Sequence, residues 1–197
     1  MDILPLFSKP IFVDYINLDT KELSEKLGKL NLTNPRNDNS SDQANMYNVL
    51  DLDLCSYLKQ SILESSIKFT KQEMKHKNDF RITTSWITNT LPNQKSERHN
   101  HNNCYYSGVV YLDTCESCGD LQFQDLSNKR FQLEFEEYNL YNSSSWNIKP
   151  RNGLIVIFPS EIFHKVLKNN SNRNRMSIAF NLFPVGHLGA YDSQVVV

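Results

Sequence analysis

The chain has 197 residues, a formal net charge of −1 and 39% hydrophobic residues. This length suits one domain, which can bury enough apolar surface to fold without disulfides or a structural metal. Lys and Arg are scattered, so the sequence offers no basic surface for nucleic acid, and no apolar run reaches the length of a membrane span. The first twelve residues lack the basic and apolar regions of a signal peptide, so we expect a cytoplasmic protein with reduced thiols.

The first third of the sequence is predicted to be helical. A short helix should begin at Thr20, which can cap it, and run through TKELSEKLGKL. A second helix is predicted from about 51 to 75, because apolar residues recur there at helical spacing. The apolar stripe consists of Leu54, Leu58, Ile62 and Phe69. Residues 33–48 between the helices are polar and rich in turn formers, which predicts a long exposed loop.

From about residue 81 the apolar period changes to two, which predicts β-strands. The predicted strands are RITTSWITNT, YYSGVVYL, DLQFQD, FQLEFEE, SWNIKP, GLIVIFP, HKVLKN and RMSIAFNLF. Eight short strands with turns between them favour an antiparallel barrel or a jelly roll. We therefore expect a single, mostly β domain over 1–197: a helical region over about 1–80 packed on one sheet, a jelly-roll core over about 81–184, and a tail over 185–197.

Cys115 and Cys118 form a CxxC motif, which in other proteins holds zinc or exchanges thiols with disulfides. A zinc site needs two more ligands at comparable spacing, and Cys55 and Cys104 do not provide them. A redox motif of the thioredoxin type opens a helix, whereas this one precedes Gly119 in a turn between strands. We therefore interpret both cysteines as incidental loop thiols.

Two histidines lie one residue apart in RHNHNN, just before an apolar run. Residues i and i+2 of a strand point to the same face, so His99 and His101 could reach one metal ion. The third ligand must come from another strand, and His164, after a β-run and a Phe-Pro corner, is the candidate. The remaining histidines, His76 and His187, are expected at the surface.

Arg175 is the second element of the predicted site. A hairpin after His164 would place Arg175 beside it on the neighbouring strand. The residues that share the Arg175 face of its strand are Ser177, Ala179 and Asn181. A buried arginine is costly without an anion, and its planar fork suits a carboxylate. The sequence therefore predicts a metal site next to a clamp for a small dicarboxylate; Arg173 has the same parity as Arg175 but falls in the turn.

Several stretches resemble the Fe(II)/2-oxoglutarate-dependent oxygenases, and more narrowly their small bacterial and phage branch. They are HNHNNCYYSGVVYLD, GDLQFQD, KPRNGLIVIFPSEIFHKVLKN and NRMSIAFNLF, and the LPLFSKPIF opening is also typical. The resemblance spans roughly residues 81–184 and implies a double-stranded β-helix. It implies that His99 and His164 ligate Fe(II), and that Arg175, with Ser177, binds the distal carboxylate of 2-oxoglutarate.

The family pattern is His-x-Asp…His, so His101 stands where an aspartate is usual. We interpret His101 as the third ligand, while noting that three histidines also suit zinc. Glu97 shares the strand parity and is the alternative source of a carboxylate. Asn181 is predicted to orient a ligand or the co-substrate. The predicted substrate pocket consists of Trp86, Asn89, Tyr105 and Tyr106.

The resemblance implies a dioxygenase that uses Fe(II), 2-oxoglutarate and O2 to hydroxylate an unactivated C–H, with release of succinate and CO2. The expected substrate is a protein side chain, an amino acid or a small metabolite. We expect no nucleic-acid or membrane partner, keep a homodimer as an option, and place the protein in the cytoplasm of a bacterium or a phage-infected host. Two other functions stay open. One is a cupin-type metalloenzyme that does not use 2-oxoglutarate, and the other is a non-enzymatic jelly roll with a binding or structural role.

Overall fold

The computed structural model describes residues 2–127, 131 and 133–197, and these are mostly β-structure with two α-helices, as predicted. The longer strands are β1 (Phe12–Tyr15), β4 (Asp79–Thr90), β5 (Ser96–His99), β6 (Tyr106–Asp113), β7 (Leu121–Gln124), β8 (Ser145–Ile148), β9 (Leu154–Pro159), β10 (Phe163–Val166) and β11 (Arg175–Val185). Two short hairpins pair β2 (Thr33–Asn34) with β3 (Gln43–Ala44), and β12 (His187–Leu188) with β13 (Val195–Val196). The helices are α1 (Thr20–Gly28) and α2 (Ser56–Ile67).

The long strands form two antiparallel sheets. The five-stranded sheet has the order β1-β9-β6-β11-β4, and the four-stranded sheet has the order β5-β10-β7-β8. Strand β11 pairs with β4 on one side and with β6 on the other, whereas β10 pairs with β5 and β7. Strands β10 and β11, which follow each other along the chain, therefore lie in different sheets.

Two buried clusters hold these layers together. One cluster joins the helices to the five-stranded sheet and includes Leu27 of α1, Ile62 of α2 and Ile178 of β11. The other combines residues of the two sheets and includes Tyr111 of β6 and Phe123 of β7. Burial of this apolar surface is the main favourable contribution to folding.

The helices differ from the prediction at their starts. Asp19, and not Thr20, caps α1, because its carboxylate accepts a hydrogen bond from the Glu22 amide at 3.0 Å. The segment predicted as one helix over 51–75 begins with two 3₁₀ turns, Val49–Asp51 and Asp53–Cys55, and α2 continues into a π-helical turn, Lys68–Glu73. Leu54 consequently lies outside the buried stripe and is 39% exposed.

The strand prediction was wrong for FQLEFEE. Within this stretch, residues 131 and 133–137 form no strand, and Gln132 is outside the described residues. Its period-two pattern suits a strand, yet Phe131, Leu133 and Phe135 are all exposed rather than packed against a second layer. Conversely, β1 and β5 were not predicted. In the case of β5, the segment has no apolar residue that could give a periodic signal.

The predicted hairpin between His164 and Arg175 was also wrong. His164 pairs with His99 and Phe123 in the four-stranded sheet, and Arg175 pairs with Thr90 in the five-stranded sheet. The two residues therefore belong to different sheets instead of adjoining strands. No helix among the described residues is both long and apolar enough to cross a membrane.

We expect Gly108→Ala to lower the free energy of unfolding by about 1–3 kcal/mol, because overpacking a core has this cost. A Cβ at Gly108 would lie 2.3 Å from Cζ of Phe180, whose ring is completely buried. Gly28→Ala is the matched control, since its Cβ would meet only Met176, at 3.8 Å. Urea unfolding of both variants checks this; equal stability of Gly108→Ala and the parent protein would contradict the packing described.

Candidate metal centre

Three histidines meet although they come from separate segments. His99 ends β5, His101 follows it in a coil, and His164 lies on β10 directly opposite His99. Their candidate ligand atoms all lie within 4.8 Å of one another, and the His99 and His164 ring centroids are 4.4 Å apart. Nitrogens that share one ion at 2.0–2.1 Å lie about 3 Å apart in cis positions, so small rotations of the rings complete such a site.

Backbone carbonyls fix the tautomers of two of the rings. Nδ1 of His99 lies 2.7 Å from the Glu97 carbonyl oxygen, and Nδ1 of His164 lies 2.9 Å from the Ile162 carbonyl oxygen. A carbonyl oxygen only accepts hydrogen bonds, so each Nδ1 carries the proton and donates. The Nε2 lone pair of each ring is therefore free to bind a metal, which is the usual outer-shell arrangement of ligating histidines.

Burial keeps the rings of His101 and His164 neutral, which is the form that binds metal. It lowers the pKa of His164 to about 3 and the pKa of His101 to about 4, and the neighbouring His99 acts in the same direction. His164 is 5% exposed. His101 and His164 thus present uncharged donors at neutral pH.

No carboxylate joins the triad within the described part of the chain, where it is the only group of three potential ligands. Glu97, the alternative considered from the sequence, instead pairs with Lys95 at 2.6 Å on the surface. A set of three neutral nitrogens fits Fe(II) and also fits zinc. The donor chemistry and the closeness of the rings fit a divalent metal.

Arg175 is the largest of the fully buried side chains, at 1% exposure. Its Nη1 donates to the Gly119 carbonyl and its Nη2 donates to the Thr90 hydroxyl, each at 3.0 Å. Its buried Nε–H has no hydrogen-bond partner, and none of the ion pairs among the described residues includes it. A guanidinium in this state is costly unless an anion binds to it, and a carboxylate matches its donor geometry.

The triad and Arg175 line one cavity of about 220 Å³, between the two sheets. The Tyr111 ring lies 5.7 Å from the guanidinium carbon, and Tyr111 and Ser177 also line the cavity. Apolar walls come from Val109, Leu121, Phe158 and Val166. A cavity with donors at one end and a metal site elsewhere in its wall fits a small dicarboxylate such as 2-oxoglutarate.

The predicted pocket residues are only partly brought to this cavity. Trp86 lines it and lies 5.8 Å from the His101 ring. Asn89 does not line it, because it is one step out of phase on β4 and donates to Asp42 instead. Tyr106 points to the helix side, where its hydroxyl meets Nε2 of His76 at 2.7 Å.

Two further predictions need correction. Tyr105 is 49% exposed, and its ring packs on His76 and Phe80 rather than in the cavity. His76 was expected at the surface but is partly buried by these contacts, which, together with Lys71, lower its pKa. His187 is exposed, as expected.

Asn181 shares the strand face of Arg175 but lies beyond the cavity lining. Its Oδ1 accepts a hydrogen bond from the Ser107 hydroxyl at 2.8 Å, and its Nδ2 donates to the Thr84 hydroxyl at 2.9 Å. With its amide used in this way, Asn181 supports the sheet next to the site instead of facing the cavity.

Residues 33–48 were predicted to form an exposed loop, but several of them form a wall of the cavity. Ser41 is 9% exposed, and its hydroxyl lies 2.9 Å from that of Thr90, the residue that accepts from Arg175. Tyr47 lies 6.4 Å from Trp86, and both line the cavity. Composition gave no signal for this wall, because its contacts are hydrogen bonds to distant strands.

The family model for a putative 2OG-Fe(II) oxygenase matches residues 84–181. This stretch contains the three histidines and Arg175. The family's name specifies Fe(II) and 2-oxoglutarate, the cofactor and co-substrate that the sequence predicted. None of the curated proteins matches the chain.

Solved structures with similar folds cover most of the chain at low identity. A prolyl-4-hydroxylase from Pseudomonas putida is 16% identical, covers 89% of this chain and 94% of its own, and has a TM-score of 0.62. A prolyl hydroxylase from Trichoplax adhaerens, in complex with a hypoxia inducible factor peptide fragment, is 14% identical over 90% and 85%, with a TM-score of 0.64. HygX from Streptomyces hygroscopicus, with nickel, 2-oxoglutarate and hygromycin B bound, is 11% identical over 89% and 83%, with a TM-score of 0.63.

The lowered pKa values of His101 and His164 predict a pH-dependent stability of the metal-free protein. The unfolded chain takes up protons on these rings below about pH 6.5, whereas the folded protein does not until about pH 4 and 3. Their contribution is therefore fully present above pH 6.5 and is lost as the pH falls, by at most about 1.4 kcal/mol per pH unit for each ring.

Urea unfolding between pH 7 and 5, with a chelator present, measures this dependence. His164→Gln should flatten the decrease, and His187→Gln at the exposed tail should leave it unchanged. The same slope in His164→Gln and in the parent protein would show that the ring is not held neutral by burial.

Proposed function

The chain belongs to the Fe(II)/2-oxoglutarate-dependent oxygenase superfamily, and we propose that it is a dioxygenase that hydroxylates an unactivated C–H bond. In the proposed reaction, the substrate C–H, O2 and 2-oxoglutarate give the alcohol, succinate and CO2. The observation that carries the proposal is Arg175, a buried guanidinium without an ion pair among the described residues, in the same cavity as three convergent imidazoles.

His99, His101 and His164 would hold the iron, which supplies oxygen activation coupled to the decarboxylation of 2-oxoglutarate. The protein's contribution is to orient the rings and, through burial, to keep His101 and His164 neutral. The Glu97 and Ile162 carbonyls orient the rings of His99 and His164 by fixing the proton on Nδ1. His101 takes the place of the family's aspartate and leaves the ligand set without negative charge.

Arg175 and Ser177 would bind the distal carboxylate of 2-oxoglutarate, with the Tyr111 hydroxyl as a further donor. The guanidinium is held in place by two hydrogen bonds, in which Nη1 donates to the Gly119 carbonyl and Nη2 donates to the Thr90 hydroxyl. The unpartnered Nε–H remains for the co-substrate. Val109, Leu121 and Phe158 exclude water around the bound acid and strengthen its attraction to the arginine.

The fold proposal follows from the two sheets. We propose that they form the double-stranded β-helix of the family, with the helices packed on the five-stranded sheet and the whole chain as one domain. The cavity then lies inside the β-helix, where the two sheets face each other.

The substrate would enter beside Trp86 and Tyr47, whose rings flank the cavity near His101. The similar structures include one with a peptide fragment and one with hygromycin B. We propose that the substrate belongs to one of these two classes, either a protein side chain or a small molecule such as an amino acid.

The clamp is tested by Arg175→Met, which should weaken 2-oxoglutarate binding by about 100-fold, since each hydrogen bond to a charged group contributes about 1.5–3 kcal/mol. The measurement is the visible charge-transfer band that appears when protein, Fe(II) and 2-oxoglutarate are mixed without oxygen, followed by succinate release in air. Arg173→Met is the matched control, because Arg173 pairs with Asp113 at the surface.

An unchanged band in Arg175→Met would refute the clamp. Metal uptake by the parent protein without any response to 2-oxoglutarate would favour the cupin-type reading. No metal uptake would favour a binding module.

The metal site is tested by replacing each histidine of the triad with alanine. Fe(II) affinity should fall at least about tenfold in each variant, because each loses one of three protein ligands. Metal titration of the apoprotein measures this, with His187→Ala as the control. Retention of full affinity by His101→Ala would remove His101 from the ligand set.

A further inference from the structure

The CxxC motif lies in a tight turn behind the arginine. The turn spans Glu116 and Ser117, and Ser117 adopts a positive φ of 60°. The Cys115 amide lies 3.5 Å from Sγ of Cys118, and both cysteines are free. The ends of a β-turn lie within about 7 Å, which overlaps the Cα separation that a disulfide spans.

This turn is joined directly to Arg175. Gly119 follows Cys118, and its carbonyl accepts the 3.0 Å hydrogen bond from Nη1. Gly119 packs closely against the backbone of Leu167, where a side chain would not fit, since a Cβ at Gly119 would lie 2.1 Å from the Leu167 carbonyl oxygen and its φ is +91°. A change in the geometry of the CxxC turn therefore acts on the residue that holds the guanidinium.

We propose that Cys115 and Cys118 are a redox modification site, whose reversible disulfide weakens 2-oxoglutarate binding through Gly119 and Arg175. The inference rests on the role proposed above for Arg175.

The oxidant is a small disulfide of the glutathione class. The Cys115 thiolate attacks one sulfur of the oxidant and expels the other as a thiol, which leaves a mixed disulfide. Cys118 then attacks Sγ of Cys115 and releases the second thiol. The two protein thiols lose two electrons and two protons in total, and the oxidant's S–S bond takes up both to give two thiols.

The exposure of the two thiols sets this order. Cys115 is partly exposed, and its Sγ lies 3.1 Å from the Ser171 hydroxyl. Cys118 is 1% exposed, and burial raises the pKa of its thiol, so it is protected from direct attack by the oxidant. The accessible thiol therefore reacts first, and the buried one resolves the mixed disulfide.

The disulfide requires the two sulfurs to lie about 2.05 Å apart. In the proposal, closing this bond draws Sγ of Cys118 from the Cys115 amide toward Sγ of Cys115, and the tightened turn shifts the peptide that precedes Gly119. The hydrogen bond from Arg175 to Gly119 is then lengthened or lost. One hydrogen bond to a charged group corresponds to about tenfold in affinity.

The test treats the full protein with diamide, removes the reagent, and loads Mn(II), which has little preference for thiolates. Mass spectrometry after alkylation reports the Cys115–Cys118 bond as a loss of two hydrogens. Calorimetry reports the Kd for 2-oxoglutarate. We expect the bond to form, the Kd to rise about tenfold, and a thiol reductant to reverse both.

Cys115→Ser is the control that cannot form the bond, and its Kd should not respond to diamide. Cys104→Ser keeps the pair and should respond as the parent protein does. Failure of the pair to link, or a linked protein with unchanged Kd while Arg175→Met has lost binding, would overturn the proposal and leave the clamp intact. If the reduced parent protein binds no 2-oxoglutarate, the clamp itself fails and the coupling fails with it, while the mass measurement still decides whether the thiols pair.

Discussion

A buried positive charge that forms no ion pair with any described residue is the constraint around which this molecule is organised. Arg175 is 1% exposed, and both protein acceptors of its hydrogen bonds are neutral. Such a charge is destabilising in the empty protein and becomes favourable when an anion shares the cavity. The fold therefore sacrifices stability at this point in order to select a negatively charged partner.

The three histidines add to the same imbalance. They are neutral ligands, so a divalent ion would keep its full charge, whereas the family's aspartate would reduce it by one. Among the described residues that line the cavity, Asp42 alone is acidic, and both of its oxygens already accept hydrogen bonds from the amides of Asn89 and Gln94. The charge that compensates the metal and the guanidinium must come from what binds there, and under the proposed function the two carboxylates of 2-oxoglutarate offset two of these three positive charges.

Most of the β-structure was predictable from the sequence, because its strands carry the period-two pattern that burial of one face requires. The histidine triad was predictable from spacing, since the i and i+2 positions of His99 and His101 bring their rings together even where β5 ends. The sheet membership of β10 and β11 was not predictable, because a polar connection of eight residues fits a hairpin and a crossing between sheets equally well. Tyr111 was not predicted to line the cavity, for a related reason. The register of β6 against β11 places Tyr111 opposite Ser177, and this register, which the sequence does not reveal, separates Tyr111 from Tyr106.

The loops that looked solvated from composition position the arginine as much as the strands do. Asn169 is completely buried, and its side-chain amide donates to the carbonyls of Thr90 and Arg173, which ties the end of β4 to the start of β11. Its backbone carbonyl accepts from the Asn93 amide, and the next residue, Asn170, donates to Ser117 in the CxxC turn. These bonds connect three polar turns into one support behind Thr90 and Gly119, the two acceptors of the guanidinium. Because most of these links are hydrogen bonds between residues far apart in sequence, local composition cannot reveal them, and the position of the arginine depends on all three turns.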